Sequence, residues 1–466
     1  MQDLIGLPLE LLAQVISHVD QSTLKQLRQT CRMLAQLASR ELFRTVRLFP
    51  DEESYERVRS IAGDVKLKMM ESESDDCTLT EAFKDAIMQL KDFPGVQSTV
   101  LRFDRHCSTD SHTFREEWPQ TYTYREEVLR VFFSWLTSLD TPIKELGIRN
   151  LQDLNIRDAD ICAMVTTVLA HLQSLRLSIV TENYEASPEN ELEFPEPHDF
   201  FAEMPSTWLK PTMGSLEHLT LYCDRYWGFY PKVNFRGIHF PRLKTLALGN
   251  FAFAQDSHLE WILSHDASLT ELYLDDCTIL YDKSEMEVRT PEQHPDRRKY
   301  YCSYEKRWYH FFDAFRARLP LLRHFRMGAT CWWSIDEAMP FEKEAKTNIG
   351  LLNDRYMVCY DGYGPSPYMP DGSYKDHEKT VPDCDEEDRD ALRLLLKSLS
   401  QNEPECWSLP YRIIMYSCLM MAIPAEISLQ SQCFFLFPPS SVYSHHTPNK
   451  LKVDVLSATS EGVKLP

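Results

Sequence analysis

A short apolar pattern recurs through most of this chain of 466 residues and constrains its fold more than any other feature. The pattern is one apolar residue, two others, a second apolar residue, one other, and a third apolar residue. Apolar residues at alternate positions of a short segment are typical of a β-strand that buries one face. The pattern begins at Ile143, Leu172, Leu216, Leu243, Leu269 and Leu322.

Successive patterns begin 29, 44, 27, 26 and 53 residues apart. In the fifth, Cys277 and Ile279 complete the form Leu-x-x-Leu-x-Leu-x-x-Cys-x-Ile, which resembles a leucine-rich repeat. Amphipathic segments at 129–139, 161–169 and 308–319 favour helices between the strands. Because such alternation implies right-handed crossovers, the strands are expected to be parallel. The prediction is an α/β fold, an irregular leucine-rich-repeat solenoid over residues 96–400 with parallel strands and outer helices. A generic α/β domain with short strands is the competing interpretation.

The two long intervals predict loop insertions, one near 181–205 and one near 281–300. The first insertion is acidic and rich in proline. Near the end of the array, an acidic run at 383–390 precedes a helical segment, where carboxylates suit the helix dipole as a solvated cap. The repeat pattern then stops, so residues 401–466 are predicted to be a poorly ordered tail.

The first fifty residues form a separate helical block. Pro8 suits a first helical position, where its missing N–H costs nothing. Leu12, Val15, Ile16 and Val19 follow at helical spacing and make one apolar stripe. Two or three helices this short bury too little surface to be stable alone. The block is therefore expected to pack on the rest of the chain, on a partner, or on both; the plainest alternative is an N-terminal cap of the repeat array.

Three segments of this block carry a family resemblance: "LPLELL" from Leu7, "LRQTCRML" from Leu27 and "LFRTV" from Leu42. They resemble the F-box, the helical module that docks on the Skp adaptor of cullin-RING ubiquitin ligases, in the version seen in many fungal F-box proteins. The resemblance implies a three-helix F-box at 1–50, here followed by a linking helical segment at 51–95. It also implies adaptor contacts at Leu7, Pro8, Leu12, Ile16, Leu24, Leu27 and Cys31.

Composition narrows the remaining classes of function. The formal net charge of -20 opposes binding to nucleic acid or to an anionic membrane surface. We expect neither a secretory leader nor a membrane-spanning segment, because the longest apolar stretch is far shorter than about 20 residues. The thirteen cysteines are scattered and include no Cys-x-x-Cys pair, which is typical of reduced thiols in a cytoplasmic or nuclear protein.

Candidates for catalysis or metal binding are few. His106, Cys107 and His112 match no common zinc spacing. Cys277 falls at a repeat core position, which favours a structural thiol over a nucleophile. With 14 glycines in the chain, no Gly-rich phosphate loop is present. We therefore expect no catalytic residue, no metal site and no cofactor.

Taken with the F-box resemblance, the repeats predict a non-catalytic, substrate-recognition subunit of an SCF-type ubiquitin ligase. The F-box would bind the Skp-type adaptor and, through it, a cullin scaffold, while the repeats would bind an unidentified target protein. The alternative is a repeat-based interaction scaffold outside ubiquitination. Target contacts are predicted at the variable strand positions Arg176, Thr220, Tyr222, Thr245, Tyr273, Asp275 and Arg326.

Overall fold

The structure is a computed structural model. It describes residues 9–48 and 79–109 in part, residues 120–182, 195–285, 300–328, 350–359 and 382–404, and short pieces at 365–366, 408–409 and 452–457. Leu7, Pro8, His106 and His112 lie outside the described residues, as do most of the predicted linking segment 51–95 and most of the predicted tail.

Within these residues the chain is a mixed α/β structure. Its helices are α1 Leu9–Ile16, α2 Gln21–Leu27, α3 Glu81–Gln89, α4 Tyr122–Thr137, α5 Ala159–Leu169, α6 Pro195–Met204, α7 Asp256–Leu263, α8 Trp308–Arg318 and α9 Asp385–Ser398. Its strands of four or more residues are β1 Thr45–Leu48, β2 Val96–Arg102, β3 Glu145–Gln152, β4 Ser174–Val180, β5 His218–Trp227, β6 Thr245–Phe253, β7 Glu271–Asp275, β8 Thr278–Glu285, β9 Tyr300–Ser303, β10 His324–Gly328, β11 Tyr356–Cys359 and β12 Lys452–Ser457.

A parallel sheet runs in the order β2, β3, β4, β5, β6, β7 and β10. The six recurring patterns lie on successive strands of this sheet in the same register. Their middle apolar residues are register partners, namely Leu146, Leu175, Leu219, Leu246, Leu272 and Phe325. The predicted parallel sheet is therefore confirmed.

The apolar rows of the sheet face the helices. Leu146, Ile148 and their counterparts share one continuous core with apolar side chains of α4, α5, α7 and α8. Helix α5 covers the predicted segment 161–169 and begins two residues earlier, at Ala159, because Asp158 accepts hydrogen bonds from the N–H groups of Asp160 and Ile161, each at 3.0 Å. Each strand therefore buries its leucines under the helices and presents its alternate residues on the opposite face.

A left-handed residue recurs where several strands leave the leucine rows. Asn150, Asn250 and Asp276 occupy the same repeat position with φ of 59°, 53° and 51°. The amide Nδ2 of Asn150 donates to the carbonyl of Phe103 at 2.9 Å, and that of Asn250 to the carbonyl of Cys223 at 2.8 Å. Asparagine and aspartate tolerate this backbone conformation better than other non-glycine residues. These side chains thus tie each strand end to a preceding chain segment.

The two predicted insertions contain regular structure in their described parts. Pro195–Met204 is a helix in place of the expected loop, because Pro195 and Glu196 suit a first turn and Phe200 and Phe201 are buried in the core. Near the second insertion, β8 and β9 form an antiparallel pair that extends into the expected loop. Strand β8 also pairs in parallel with β6 and β11.

The far end of the chain returns to the start of the sheet. Strand β12, inside the predicted tail, lies between β1 and β2 and is antiparallel to both. Among the helices that the structure describes, none is both long and apolar enough to span a bilayer.

The acidic start of α9 is not simply a solvated cap, because Asp388 is fully buried. Its carboxylate accepts hydrogen bonds from Arg355 Nε at 2.8 Å, from the N–H of Tyr309 at 2.9 Å and from the hydroxyl of Tyr356 at 2.8 Å. Burial alone would lower the pKa of Arg355, but the charge and hydrogen bonds of Asp388 raise it above its ordinary value. Asp388 of α9 thus connects this helix to α8 and β11 through buried hydrogen bonds.

Candidate functional site

The N-terminal block has its own small core. Leu12, Ile16, Leu24, Leu34 and Ala38 are buried against one another. Sequence reasoning assigned the first three of these residues to the adaptor. In the structure their side chains pack α1 against α2. A substitution at any of them would therefore affect docking indirectly, by disturbing the fold of the block.

Among the α1 side chains that the structure describes, two large apolar ones lie outside this core. Leu11 is 49% exposed and Val15 is 45% exposed. Because they are four residues apart on one helix, they lie side by side on the surface. The predicted contacts Leu27 and Cys31 are half-buried at the margin of the core. Sequence reasoning did not assign Leu11 or Val15 to the adaptor. Helical spacing shows that apolar residues share a side of the helix, but not whether that side faces inward or outward.

The second candidate surface is the polar face of the parallel sheet, opposite the leucine rows. One row of this face contains Ser98, Glu145, Ser174, His218, Thr245, Glu271 and His324. The next row contains Val100, Gly147, Arg176, Thr220, Ala247, Tyr273 and Arg326. A third row contains Ser178, Tyr222, Gly249, Asp275 and Gly328, so the predicted target-binding positions do share one face.

Most of the predicted positions on this polar face are covered. Five of the seven are buried in the chain: Thr220, Tyr222, Thr245, Tyr273 and Asp275. Neighbouring strands are only about 4.8 Å apart, so side chains of one row shield one another. Arg176 and Arg326 are half-buried and keep part of their side chains accessible.

Hydrogen bonds link the two rows of the polar face. Arg176 Nη1 donates to Ser174 Oγ at 2.8 Å, and its Nη2 lies 3.5 Å from His218 Nδ1. Farther along the sheet, Tyr273 donates its hydroxyl to Glu271 Oε2 at 3.1 Å. Arg326 Nε donates to His324 Nε2 at 3.1 Å. Burial and the charge of Arg326 lower the pKa of His324, which favours the neutral imidazole that can accept this bond.

Of the first row of the polar face, sequence reasoning found Thr245 and missed four charged or imidazole side chains. Glu145, His218, Glu271 and His324 each directly precede the middle apolar residue of their pattern. In a strand that position points to the same side as the residue two places later, and for His218, Glu271 and His324 that later residue was assigned to the target. Reading the alternation one step further back would therefore have found these four residues.

At the carboxyl end of β3, Asp153 is almost completely buried. Burial raises the pKa of this carboxyl to about 8, and the neighbouring charge of Asp224 adds to the effect. Its Oδ2 atom has no hydrogen-bond partner among the residues that the structure describes. The environment of Asp153 therefore favours the protonated, neutral carboxyl group.

The pKa of Asp153 predicts a pH dependence of stability. Between its unfolded value near 4 and about 8, the folded chain keeps a proton that the unfolded chain has lost, so stability falls as pH rises. Each pKa unit corresponds to about 1.4 kcal/mol. Asp153→Asn should therefore flatten this slope and raise the free energy of unfolding at pH 8 by about 2 kcal/mol or more, measured in urea titrations from pH 5 to 8. Asp266→Asn, at an exposed carboxylate, is the control; equal slopes in wild type and Asp153→Asn would disprove the assignment.

The two cysteines that the sequence singled out, Cys277 and Cys107, are both buried. Cys277 is fully buried, its thiol donates to the carbonyl of Leu248 at 3.4 Å, and burial raises its pKa well above the usual value. Cys107 is also buried, which raises its pKa to about 12. Across the described ranges, no three histidine, cysteine or acidic side chains are grouped so that they could hold a metal ion.

Comparison with known families identifies the N-terminal block. Residues 4–48 match the F-box-like family model. The matched segment spans α1, α2 and the whole core of the block, and it ends at β1. The chain therefore carries an F-box-like domain at its N-terminal end, and F-box domains generally bind Skp adaptors. A comparison with curated proteins gives no match for this chain.

Proposed function

We propose that this protein is a substrate-recognition subunit of an SCF-type cullin-RING ubiquitin ligase. The F-box-like domain would bind a Skp-type adaptor, and the polar face of the sheet would bind a target protein. The observation that carries the proposal is the match of residues 4–48 to the F-box-like family, joined to an exposed apolar pair on its first helix. The chain would catalyse no step itself; it would bring a target lysine close to the conjugating enzyme.

The exposed pair Leu11 and Val15 would form the centre of the adaptor-docking surface. Leu27 and Cys31 would extend it, because both are only partly covered by the core of the block. For Leu7 and Pro8 we retain the assignment to the adaptor that the family resemblance implies. Because each side chain is about half exposed, burying the pair against a partner contributes about 1.5–3 kcal/mol in total, half of what two fully exposed side chains would contribute.

A double substitution on α1 tests the docking surface. Leu11→Asp with Val15→Asp places two charges at the proposed contact without touching the core residues Leu12 and Ile16. We expect co-purification with a Skp-type adaptor to fall to background, because an unpaired buried carboxylate costs several kcal/mol. The readout is the amount of adaptor retained on the tagged full chain.

Leu394→Asp is the matched control for this substitution. Leu394 is 46% exposed, like Leu11, but lies on α9 outside the F-box-like domain. Adaptor retention should be unchanged in this variant. Full adaptor retention by the double variant would contradict the docking surface.

The target-recognition half of the proposal rests on the polar face. We assign the array to leucine-rich repeats, because six patterns of one form occupy successive parallel strands in register. Arg176 and Arg326, the two accessible predicted positions, lie on β4 and β10 and could contact a target at two separate points of the face. We also propose that the protein is an F-box protein of the fungal type. It would act in the cytoplasm or nucleus, together with a cullin scaffold.

A further inference from the structure

Strand β12 joins two parts of the molecule that are distant in sequence. Along one side, its residues 453–456 pair with β1 in antiparallel register. Along its other side, residues 452–457 pair with β2, also antiparallel, with one register shift between Leu456 and Ser457. The sheet therefore begins in the order β1, β12, β2 and continues into the parallel strands of the array.

The two partners of β12 belong to the F-box-like domain and to the repeat array. Strand β1 is the last segment of the F-box-like match, which ends at residue 48. Strand β2 is the first strand of the parallel sheet and pairs with β3 on its other side. Among the strands that the structure describes, β1 pairs with β12 alone. The described sheet connection between the F-box-like domain and the array therefore passes through β12.

Direct pairing of β1 with β2 does not replace this strand. Both are antiparallel to β12 and hence parallel to each other. Neighbouring strands lie about 4.8 Å apart, so β1 and β2 are separated by about twice that distance, which is beyond hydrogen-bond reach. Along the chain they are joined by residues 49–95, and a covalent connection of that length does not by itself fix an orientation.

The pairing of β12 fixes orientation as well as contact. A backbone ladder sets the register of a strand, since a slip of one residue turns every side chain to the opposite face. The ladder with β1 covers all of β1, and the ladder with β2 covers all of β12. The F-box-like domain and the array are therefore joined as one sheet, in addition to their covalent connection.

We propose that β12 is a clamp that holds the F-box-like domain in one orientation relative to the polar face of the array. The consequence for ubiquitin conjugation rests on the proposed function: with the adaptor on one part and the target on the other, a fixed orientation keeps the target close to the conjugating enzyme. The clamp gives a role to a strand inside the segment that the sequence predicted to be a poorly ordered tail. It couples the two proposed binding surfaces.

A disulfide cross-link between Arg47 of β1 and Asp454 of β12, which are register partners, tests the pairing in the full chain. Facing Cα atoms of antiparallel strands are about 4.5–5.5 Å apart, a distance that a disulfide can span. Arg47→Cys with Asp454→Cys should therefore form the 47–454 bond under mild oxidation. Mass spectrometry of the cross-linked peptides measures its yield.

Arg47→Cys with Val455→Cys is the control for the cross-link. Successive residues of a strand point to opposite faces, so this pair should cross-link much less. A missing 47–454 bond, or equal cross-linking in the two variants, would overturn the clamp.

Val455→Pro tests the coupling of the two parts. Val455 lies inside β12, between Val46 of β1 and Thr99 of β2. Proline removes the backbone donor and is not tolerated in a strand that is paired on both sides. We expect the amides of β1 to exchange with deuterium at least about tenfold faster in the full chain, while those of β5, β6 and β7 keep their rates. Hydrogen–deuterium exchange with mass spectrometry is the readout.

Val463→Pro is the control, because it makes the same substitution outside β12 and should leave the exchange of β1 unchanged. Unchanged exchange of β1 in Val455→Pro, or faster exchange throughout the array, contradicts a clamp at this junction. With adaptor retention and target capture unchanged, Val455→Pro should also give fewer ubiquitin conjugates than the wild type; equal conjugates would overturn the coupling. If the wild type retains no adaptor, the proposed function fails, while the cross-link and the exchange rates still decide the clamp.

Discussion

Replacing Asp388 by alanine is expected to destabilise the protein by about 3–5 kcal/mol, because a buried ion pair loses one partner. Arg355, only 8% of whose side chain is exposed, would keep its ion pair with the exposed Asp385 but lose the buried carboxylate. The N–H of Tyr309 and the hydroxyl of Tyr356 would lose their acceptor as well. Chemical denaturation followed by circular dichroism measures the loss.

Asp390→Ala is the matched control for Asp388. Asp390 lies on the same helix and pairs with Arg393, but its side chain is 68% exposed. Such surface pairs contribute about 1 kcal/mol or less. If the two variants unfold at the same denaturant concentration, the buried network around Asp388 does not stabilise the end of the array.

A second large effect is expected at Trp227, in the middle of the core. Its ring stacks on Phe201 of α6 with centroids 5.3 Å apart and meets Phe251 of β6 edge-on at 4.8 Å. Its Nε1 donates to the carbonyl of Gly249 at 2.8 Å. Trp227→Ala removes all of these contacts and leaves a cavity, which should cost about 3–5 kcal/mol of unfolding free energy.

Trp227→Phe separates packing from hydrogen bonding. It keeps an aromatic ring between Phe201 and Phe251 but loses the donor to Gly249. We expect this variant to lose clearly less stability than Trp227→Ala in the same denaturation experiment. An alanine variant as stable as the wild type would show that α6 does not pack on β5 and β6 through this ring.

The leucine rows could be predicted from the sequence because they carry a simple period. Leu219, Leu246 and Leu272 recur 27 and 26 residues apart, and the structure makes them register partners. A side-chain period of two fixes which face of the strand is buried. Each parallel strand also needs a crossover, so helices between the patterns followed from the same argument.

Other features depend on contacts that are distant in sequence. Asp388 was expected to be solvated, since its partner Arg355 lies 33 residues away and has no periodic signal. The outward position of Leu11, beside the buried Leu12, depends on how α1 packs within the block. The burial of Thr220 and Tyr273 depends on neighbouring strands as well. Local spacing predicted the elements, whereas tertiary packing decided which side chains are accessible.

The most direct test of the proposed function is the lifetime of a protein captured by the full chain. The captured protein would be identified by mass spectrometry, and its half-life measured in cells that express either the wild type or the Leu11→Asp, Val15→Asp variant. We expect ubiquitin conjugates and rapid turnover with the wild type, and a longer half-life with undiminished capture for the variant. Equal half-lives without ubiquitin conjugates would contradict the proposal and point to a binding scaffold outside ubiquitination.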